Sequence, residues 1–197
     1  HGNVAGMEFI RLGIQPPGRM STRCAIVDNG SLYCWGAGSA GQLGNNDSND
    51  SYTPVLVHLP PGRHATYTTQ SCAILDNGSV MCWGRNNYGQ VGDGTNTQRD
   101  TPAHVDLGEG RTATDIDAGG SHTCAVLDNG SVSCWGSGVN GRLGDGTLND
   151  RSIPTQTASL GADRTAVEIA AGSVHTCVIL DDGTVSCWGS NSRGQLG

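Results

Sequence analysis

The sequence predicts an all-β fold: a β-propeller of about four blade-type repeats, each of four short antiparallel strands. Three observations carry that prediction. One hairpin segment recurs four times, as CAIVDNGSLYCWG, CAILDNGSVMCWG, CAVLDNGSVSCWG and CVILDDGTVSCWG. Its first cysteines, Cys24, Cys72, Cys124 and Cys177, lie 48, 52 and 53 residues apart, a period typical of blades or solenoids. Within each hairpin both faces are apolar or cysteine-bearing, which suits a sheet covered on both sides by its neighbours.

The hairpin cores fall at about 24–35, 72–83, 124–135 and 177–188. In the third copy, Asp128-Asn129-Gly130 makes a three-residue loop ending in a glycine suited to a left-handed backbone. That loop sets Leu127 opposite Ser131, Val126 opposite Val132, Ala125 opposite Ser133 and Cys124 opposite Cys134. Counting outward, the cysteines occupy a non-hydrogen-bonded pair, where Cα atoms come closest. A two-residue turn would shift the register by one and put the sulfurs on opposite faces. Side chains then alternate: Cys124, Val126, Val132 and Cys134 share one face, and Ala125, Leu127 and Trp135 the other.

All eight cysteines lie in these hairpins, two per copy and ten positions apart. The expected pairing is Cys24 with Cys34, Cys72 with Cys82, Cys124 with Cys134, and Cys177 with Cys187. Zinc sites prefer cysteine pairs two to four residues apart, so metal is the weaker alternative; buried free thiols in a reducing compartment are the other. Each disulfide closes a short loop and contributes roughly 2–3 kcal/mol. The chain is 36% hydrophobic and 5% aromatic, a lean core of the kind that needs such staples. Disulfides imply an oxidising compartment: secreted, periplasmic or at a cell surface.

The rest of each repeat follows in order. Trp35, Trp83, Trp135 and Trp188 come directly after the second cysteine and are expected to wedge between blades; a sugar-stacking platform is the alternative. Glycine-rich turns follow at 41–44, 89–92, 141–144 and 194–197, two of them continuing into Asp-Gly-Thr at 93–95 and 145–147. Strands entered at Pro54, Pro102 and Pro154 suit an outer edge. A further strand leads back to the next cysteine, as in 114–119 and 166–170. Asn29, Asn46, Asn49, Asn77 and Asn129 each begin an Asn-x-Ser/Thr sequon, a candidate N-glycosylation site. At Asn29, Asn77 and Asn129 the turn alone also favours asparagine before glycine.

With Ala-Gly-Gly-Ser-His-Thr-Cys at 118–124, the Asp-Asn/Asp-Gly hairpin, Cys-Trp-Gly and the turn that runs into Asp-Gly-Thr assembled, the chain resembles the regulator-of-chromosome-condensation repeat family over about residues 20–197. The paired cysteines resemble its secreted branch. The resemblance implies a β-propeller, usually of seven blades, in proteins that serve as nucleotide-exchange factors, protein-binding platforms or inhibitors that plug a partner's active site. The first two repeats depart from the pattern: Met20-Ser-Thr-Arg23 and Thr68-Thr-Gln-Ser71 stand where a Gly-Gly-Ser-His run is expected. His122 and His175 therefore lack counterparts there, which disfavours a shared metal on the axis; their expected role is structural.

Function is less legible. The net charge is −7 with no basic run, unsuited to nucleic acid, whose affinity comes from phosphate neutralisation. No apolar stretch reaches the ~20 residues of a membrane helix. No nucleophile–base set, phosphate loop or distinctive carboxylate pair emerges, so no enzyme, cofactor or metal is expected. Asp93 and Asp145 precede Arg99 and Arg151 by six positions, as loop ion pairs would. The acidic run 45–50 lacks the glycine and distal glutamate of a calcium loop. The whole chain, 1–197, is expected to be one repeat domain. Its terminal blade is expected to be split between 1–20, with Met7–Leu12 as an outer strand, and 189–197. The partner is then another protein or copies of the chain itself, joined head to tail through that split blade. The expected function is an extracellular, non-enzymatic binding or assembly module. The alternative is a fragment of a seven-bladed secreted propeller that binds or inhibits a partner.

Overall fold

A computed structural model describes residues 9–12, 22–157 and 159–197, the side chains of 9–12 excepted. It consists of four antiparallel sheets. The first blade holds β1 (Phe9–Leu12), β2 (Arg23–Val27), β3 (Leu32–Gly36) and β4 (Ser51–Leu56). The second holds β5 (Ala65–Thr68), β6 (Cys72–Leu75), β7 (Val80–Gly84) and β8 (Arg99–Val105). The third holds β9 (Ala113–Ala118), β10 (His122–Leu127), β11 (Val132–Gly136) and β12 (Arg151–Gln156). The fourth holds β13 (Ala166–Ala171), β14 (His175–Leu180) and β15 (Val185–Gly189). Strands pair in sequence order within each sheet, as short connections require.

The central hairpins have the register of a three-residue loop. Cys124 lies opposite Cys134, Ala125 opposite Ser133 and Val126 opposite Val132, while Leu127 N–H donates to the Ser131 carbonyl at 2.9 Å and Gly130 has φ +76°. Disulfides join Cys24–Cys34, Cys72–Cys82, Cys124–Cys134 and Cys177–Cys187, each with Cα atoms 4.1 Å apart. That separation is what a non-hydrogen-bonded antiparallel pair provides.

The two faces of a hairpin serve two different cores. Cys124, Val126, Val132 and Cys134 pack with Leu143 against Ala166, Ile169, Val178 and Leu180 of the fourth blade. Ala125, Leu127 and Trp135 pack the other way, against Cys72, Ile74, Val80, Cys82 and Val91 of the second. Cys24, Ile26, Leu32, Cys34 and Leu43 likewise meet Ala73, Leu75, Met81 and Trp83. Each core is thus an interface between blades. A fully buried residue such as Leu43 or Leu143 stabilises it by roughly 1.5–3 kcal/mol.

Two expectations are corrected. By pattern, Met7–Leu12 suits an outer strand finishing the fourth blade. Phe9–Leu12 instead pairs with β2, Phe9 opposite Val27, as the inner strand of the first blade. Sequential antiparallel neighbours pair at little loop cost, and β1 stands before its hairpin as β5, β9 and β13 do. The remainder of the 1–20 segment, at 1–8 and 13–20, lies outside the described residues. The fourth sheet has three strands, and among the described residues none pairs with the outer edge of β15. The prolines, secondly, do not open their strands: Pro54, Pro102 and Pro154 lie inside β4, β8 and β12. Pairing there is irregular, skipping between Cys134 and Gly136 and at the matching places in the other blades. A missing donor on an irregular outer strand breaks no ladder bond.

Candidate functional site at the blade interfaces

The first three glycine-rich turns each receive the tryptophan of the following blade. Trp83 Nε1 donates to the Gln42 carbonyl at 2.8 Å, Trp135 Nε1 to Gln90 at 3.0 Å and Trp188 Nε1 to Arg142 at 2.9 Å. The last glycine of each turn is needed for this approach: a Cβ on Gly92 would come within 2.6 Å of Trp135 Nε1, and one on Gly144 within 2.7 Å of Trp188 Nε1. Trp83 and Trp135 are buried, while Trp35 and Trp188 are half-buried. The faces of Trp83 and Trp135 therefore present no sugar platform.

Threonines ahead of the first cysteine share the same carbonyls. Thr123 Oγ1 donates to Gln90 O and Thr176 Oγ1 to Arg142 O, both at 2.9 Å. Since Thr176 spends its proton on Arg142, it accepts from His122 Nε2, 2.8 Å away, which fixes the His122 tautomer with its proton on Nε2. Burial, reinforced by the charge of Arg142 and the proximity of His175, pushes the His122 imidazole down to about 3, so it is neutral. Along the inner strands, Asp115 accepts from the Ile169 N–H at 2.9 Å and Asp117 from the Ala171 N–H at 2.8 Å. Burial raises both carboxyls above the usual value, against the pull of those N–H groups.

The hairpin tips lie against the next linker. Ala65, Ala113 and Ala166 N–H groups donate to the carbonyls of Gly30, Gly78 and Gly130. Arg63, Arg111 and Arg164 reach the tip aspartates Asp76, Asp128 and Asp181, with Arg164 also on Asp182. Asn29, Asn77 and Asn129 stand exposed at the tips. Each side-chain carbonyl accepts from the serine N–H two residues on, and for Asn77 and Asn129 from the serine hydroxyl too. Asn46 and Asn49 are exposed in the loop before β4, where Asn49 donates to Asp47 at 2.7 Å. Asp93 and Asp145 pair with Arg99 and Arg151. Burial opposes their ionisation, but hydrogen bonds from Thr95, Thr147 and those arginines outweigh it and hold both carboxyls below the usual value.

Among the described residues, two surfaces bear on binding. A polar cleft of about 200 Å³ on the turn side is lined by Gln42, Gln70, Gln90, Arg85, Gly119 and His122, among others. Loop residues Tyr88, Val139 and Leu148, and Ile153 of β12, are exposed apolar groups. The second surface is the outer face of the fourth blade, where Ile179 is 37% and Val185 64% exposed. Among the described residues no three of His, Cys, Asp and Glu gather as metal ligands.

Sequence reasoning missed Thr123, Thr176, Asp115, Asp117 and the tip arginines. Two signals were present: Thr-Cys at 123–124 and 176–177, and Arg-x-Ala at 63–65, 111–113 and 164–166. The inner-strand aspartates have no such repetition, since Tyr67 and Glu168 stand where Asp115 does.

Stacked antiparallel blades, three of four strands and one of three, seated by Trp and in the last two by Thr on a Gly-x-Leu/Val-Gly turn, define a propeller-type repeat protein, here with a disulfide across each hairpin. The regulator of chromosome condensation (RCC1) repeat matches at residues 29–72, 77–126 and 129–179, with a second form of that repeat at 113–142 and 166–195. The chain belongs to this family. It is 32% identical over 178 residues to the human (Homo sapiens) E3 ubiquitin-protein ligase HERC2, covering 87% of this chain and 4% of that protein. Human WBSCR16 shares the fold with TM-score 0.84 at 22% identity, over 99% of this chain and 51% of its own. Prp20p of Saccharomyces cerevisiae, studied for its binding to Gsp1p and histones, does so with TM-score 0.68 at 20% identity, over 77% of this chain and 40% of its own. The chain thus spans about half of WBSCR16 and a small part of HERC2.

Proposed function

We propose that this chain is an extracellular, non-enzymatic protein-binding module. The observation that carries the reading is a disulfide in every blade with no free cysteine among the described residues, a pattern of oxidising compartments. The open cleft supports a binding role. Carboxamides, hydroxyls, backbone, the His122 imidazole and one guanidinium are among the groups that line it, groups that hold a partner's polar side chains. Tyr88, Val139 and Leu148 add apolar contact area on exposed loops. Prp20p, a protein of the same fold, binds Gsp1p and histones; protein binding comes to this chain by that analogy.

The test is expression through a glycosylating secretory pathway, followed by intact mass with and without alkylation and glycan removal. The expected result is four bridges, no alkylated thiol, and a glycan mass that falls with Asn46→Gln, Asn77→Gln or Asn129→Gln. Eight alkylated thiols in the folded protein would overturn the extracellular reading. A second reading, part of a larger secreted propeller that binds or inhibits a partner, draws on the exposed face of the fourth blade. Head-to-tail assembly of copies competes for that same face.

A further inference from the structure

The polar cleft on the turn side carries a single charge, and it is unpaired. Arg63, Arg99, Arg111, Arg151 and Arg164 each hold a carboxylate, and Arg142 donates to the Val139 and Ser173 carbonyls. Arg85, exposed in the lining, makes neither kind of contact among the described residues. None of the described residues lining the cleft is acidic, although the chain has 18 acidic residues against 11 basic ones. Asp117, next to Ala118 of the lining, spends its carboxylate on the Ala118 and Ala171 N–H groups. The His122 ring is neutral, its Nε2 proton donated to Thr176. The neutral side chains add donors. Gln42 Oε1 accepts the Ala40 N–H at 2.7 Å and Gln90 Oε1 the Tyr88 N–H at 3.0 Å. With its oxygen so engaged, each carboxamide keeps two N–H donors unspent. Gln42 lies beside Arg85: a Cβ on the preceding Gly84 would come 3.6 Å from Gln42 Cγ. Tyr88, in the same loop as Arg85, is 44% exposed.

We propose that this cleft receives the carboxylate of an aspartate or glutamate side chain on a partner protein, with Arg85 as its counter-charge, the Gln42 and Gln90 carboxamides as neutral donors, and Tyr88 covering an apolar residue beside the acid. The inference rests on the protein-binding reading and names the chemistry of the partner. Charge complementarity is the warrant: a site of donors around one guanidinium is made for an acceptor-only anion, and guanidinium and carboxylate match in a two-pronged geometry. A phosphate ester, with a charge of about −1.5 to −2, would leave charge unmatched by a single arginine. The cleft, of about 200 Å³, is smaller than the roughly 300–1,000 Å³ of small-molecule sites, so it takes one side chain and leaves the rest of the partner on the surrounding loops.

The experiment selects a phage-displayed library of random dodecapeptides on the whole chain with its disulfides intact. The best peptide is then synthesised with its acid and with the matching amide. Both are titrated calorimetrically against wild type, Arg85→Gln, Gln90→Glu and Arg193→Gln. Arg85 is exposed, so its replacement leaves folding intact. Gln90→Glu keeps an acceptor for Tyr88 N–H and puts a negative charge where a donor stood. Arg193, exposed on the fourth blade's turn and absent from the cleft lining, controls for net charge. The selected peptides are expected to share an aspartate or glutamate at one position, next to an aromatic or aliphatic residue. Arg85→Gln weakens the acidic peptide about tenfold or more and the amide version less than roughly twofold. Gln90→Glu also weakens the acidic peptide, and Arg193→Gln leaves it within about twofold. A shared sequence without an acid, equal losses for Arg85→Gln and Arg193→Gln, or equal losses for the acidic and amide peptides would each overturn the inference while leaving protein binding in place. Recovery of no enriched peptide would remove both.

Discussion

At the scale of single residues, polar groups buried between blades give the fold opposing pH dependences. His122 is neutral when folded, with its imidazole pushed down to about 3 by burial and by neighbouring Arg142 and His175. The unfolded chain takes up a proton near 6.5 that the folded one refuses. The histidine's stabilisation is therefore complete above pH 6.5 and is lost as pH falls toward 3, by up to about 1.4 kcal/mol per pH unit. Asp115 and Asp117 act in the opposite sense. Their carboxyls are raised by burial, so ionisation costs folded-state stability as pH climbs from the unfolded carboxylate value through the raised ones. Urea unfolding at pH 4, 5, 6 and 7 is expected to show wild-type stability rising with pH. His122→Gln, which keeps a donor for Thr176 but does not titrate, is expected to flatten or reverse that slope. An unchanged slope would remove the histidine from the account.

At the scale of elements, the hairpin tip depends on what lies against it. Gly130 (φ +76°) would place a Cβ 2.3 Å from the Thr165 Cβ, whereas Gly183 (φ +82°) has nothing within 4 Å of such an atom. Gly183→Ala is expected to cost about 1 kcal/mol for its left-handed backbone. Gly130→Ala should cost two to three times as much, both measured as denaturant midpoints at constant m-value. The bridges offer a parallel comparison. Replacing Cys124 and Cys134 together by alanine, or Cys177 and Cys187, opens loops of equal length. If the bridges act through the unfolded chain, both pairs cost a similar ~2–3 kcal/mol. If packing decides, the buried third-blade pair costs clearly more than the half-buried fourth-blade pair. Much at this scale was legible beforehand. The Asp-Asn-Gly loop length forces the register, and register forces both the sulfur pairing and the two apolar faces. What stayed hidden depends on partners distant in sequence. Nothing local to Thr176 announces that His122 and the Arg142 carbonyl will meet at its hydroxyl. The residues of Phe9–Leu12 fit an inner or an outer strand equally well by pattern, so only pairing with β2 places them in the first blade.

At the scale of the whole molecule, equivalent positions have unequal worth because one end of the stack is open. Val132 and Val185 hold the same place in their hairpins, yet one is 1% and the other 64% exposed. Val185→Lys is expected to stay within about 0.5 kcal/mol of wild type. Val132→Lys buries an unpaired ammonium and is expected to unfold the third blade, a contrast visible in thermal melts of the two variants. The seating hydrogen bonds also share a direction. Trp83, Trp135 and Trp188 donate backward to turns made earlier in the chain, and Ala65, Ala113 and Ala166 donate backward to earlier hairpin glycines. During synthesis the acceptors of these six bonds therefore leave the ribosome before the donors that need them. Each emerging blade meets a finished template, and translation order and stacking order coincide from the first hairpin to the last.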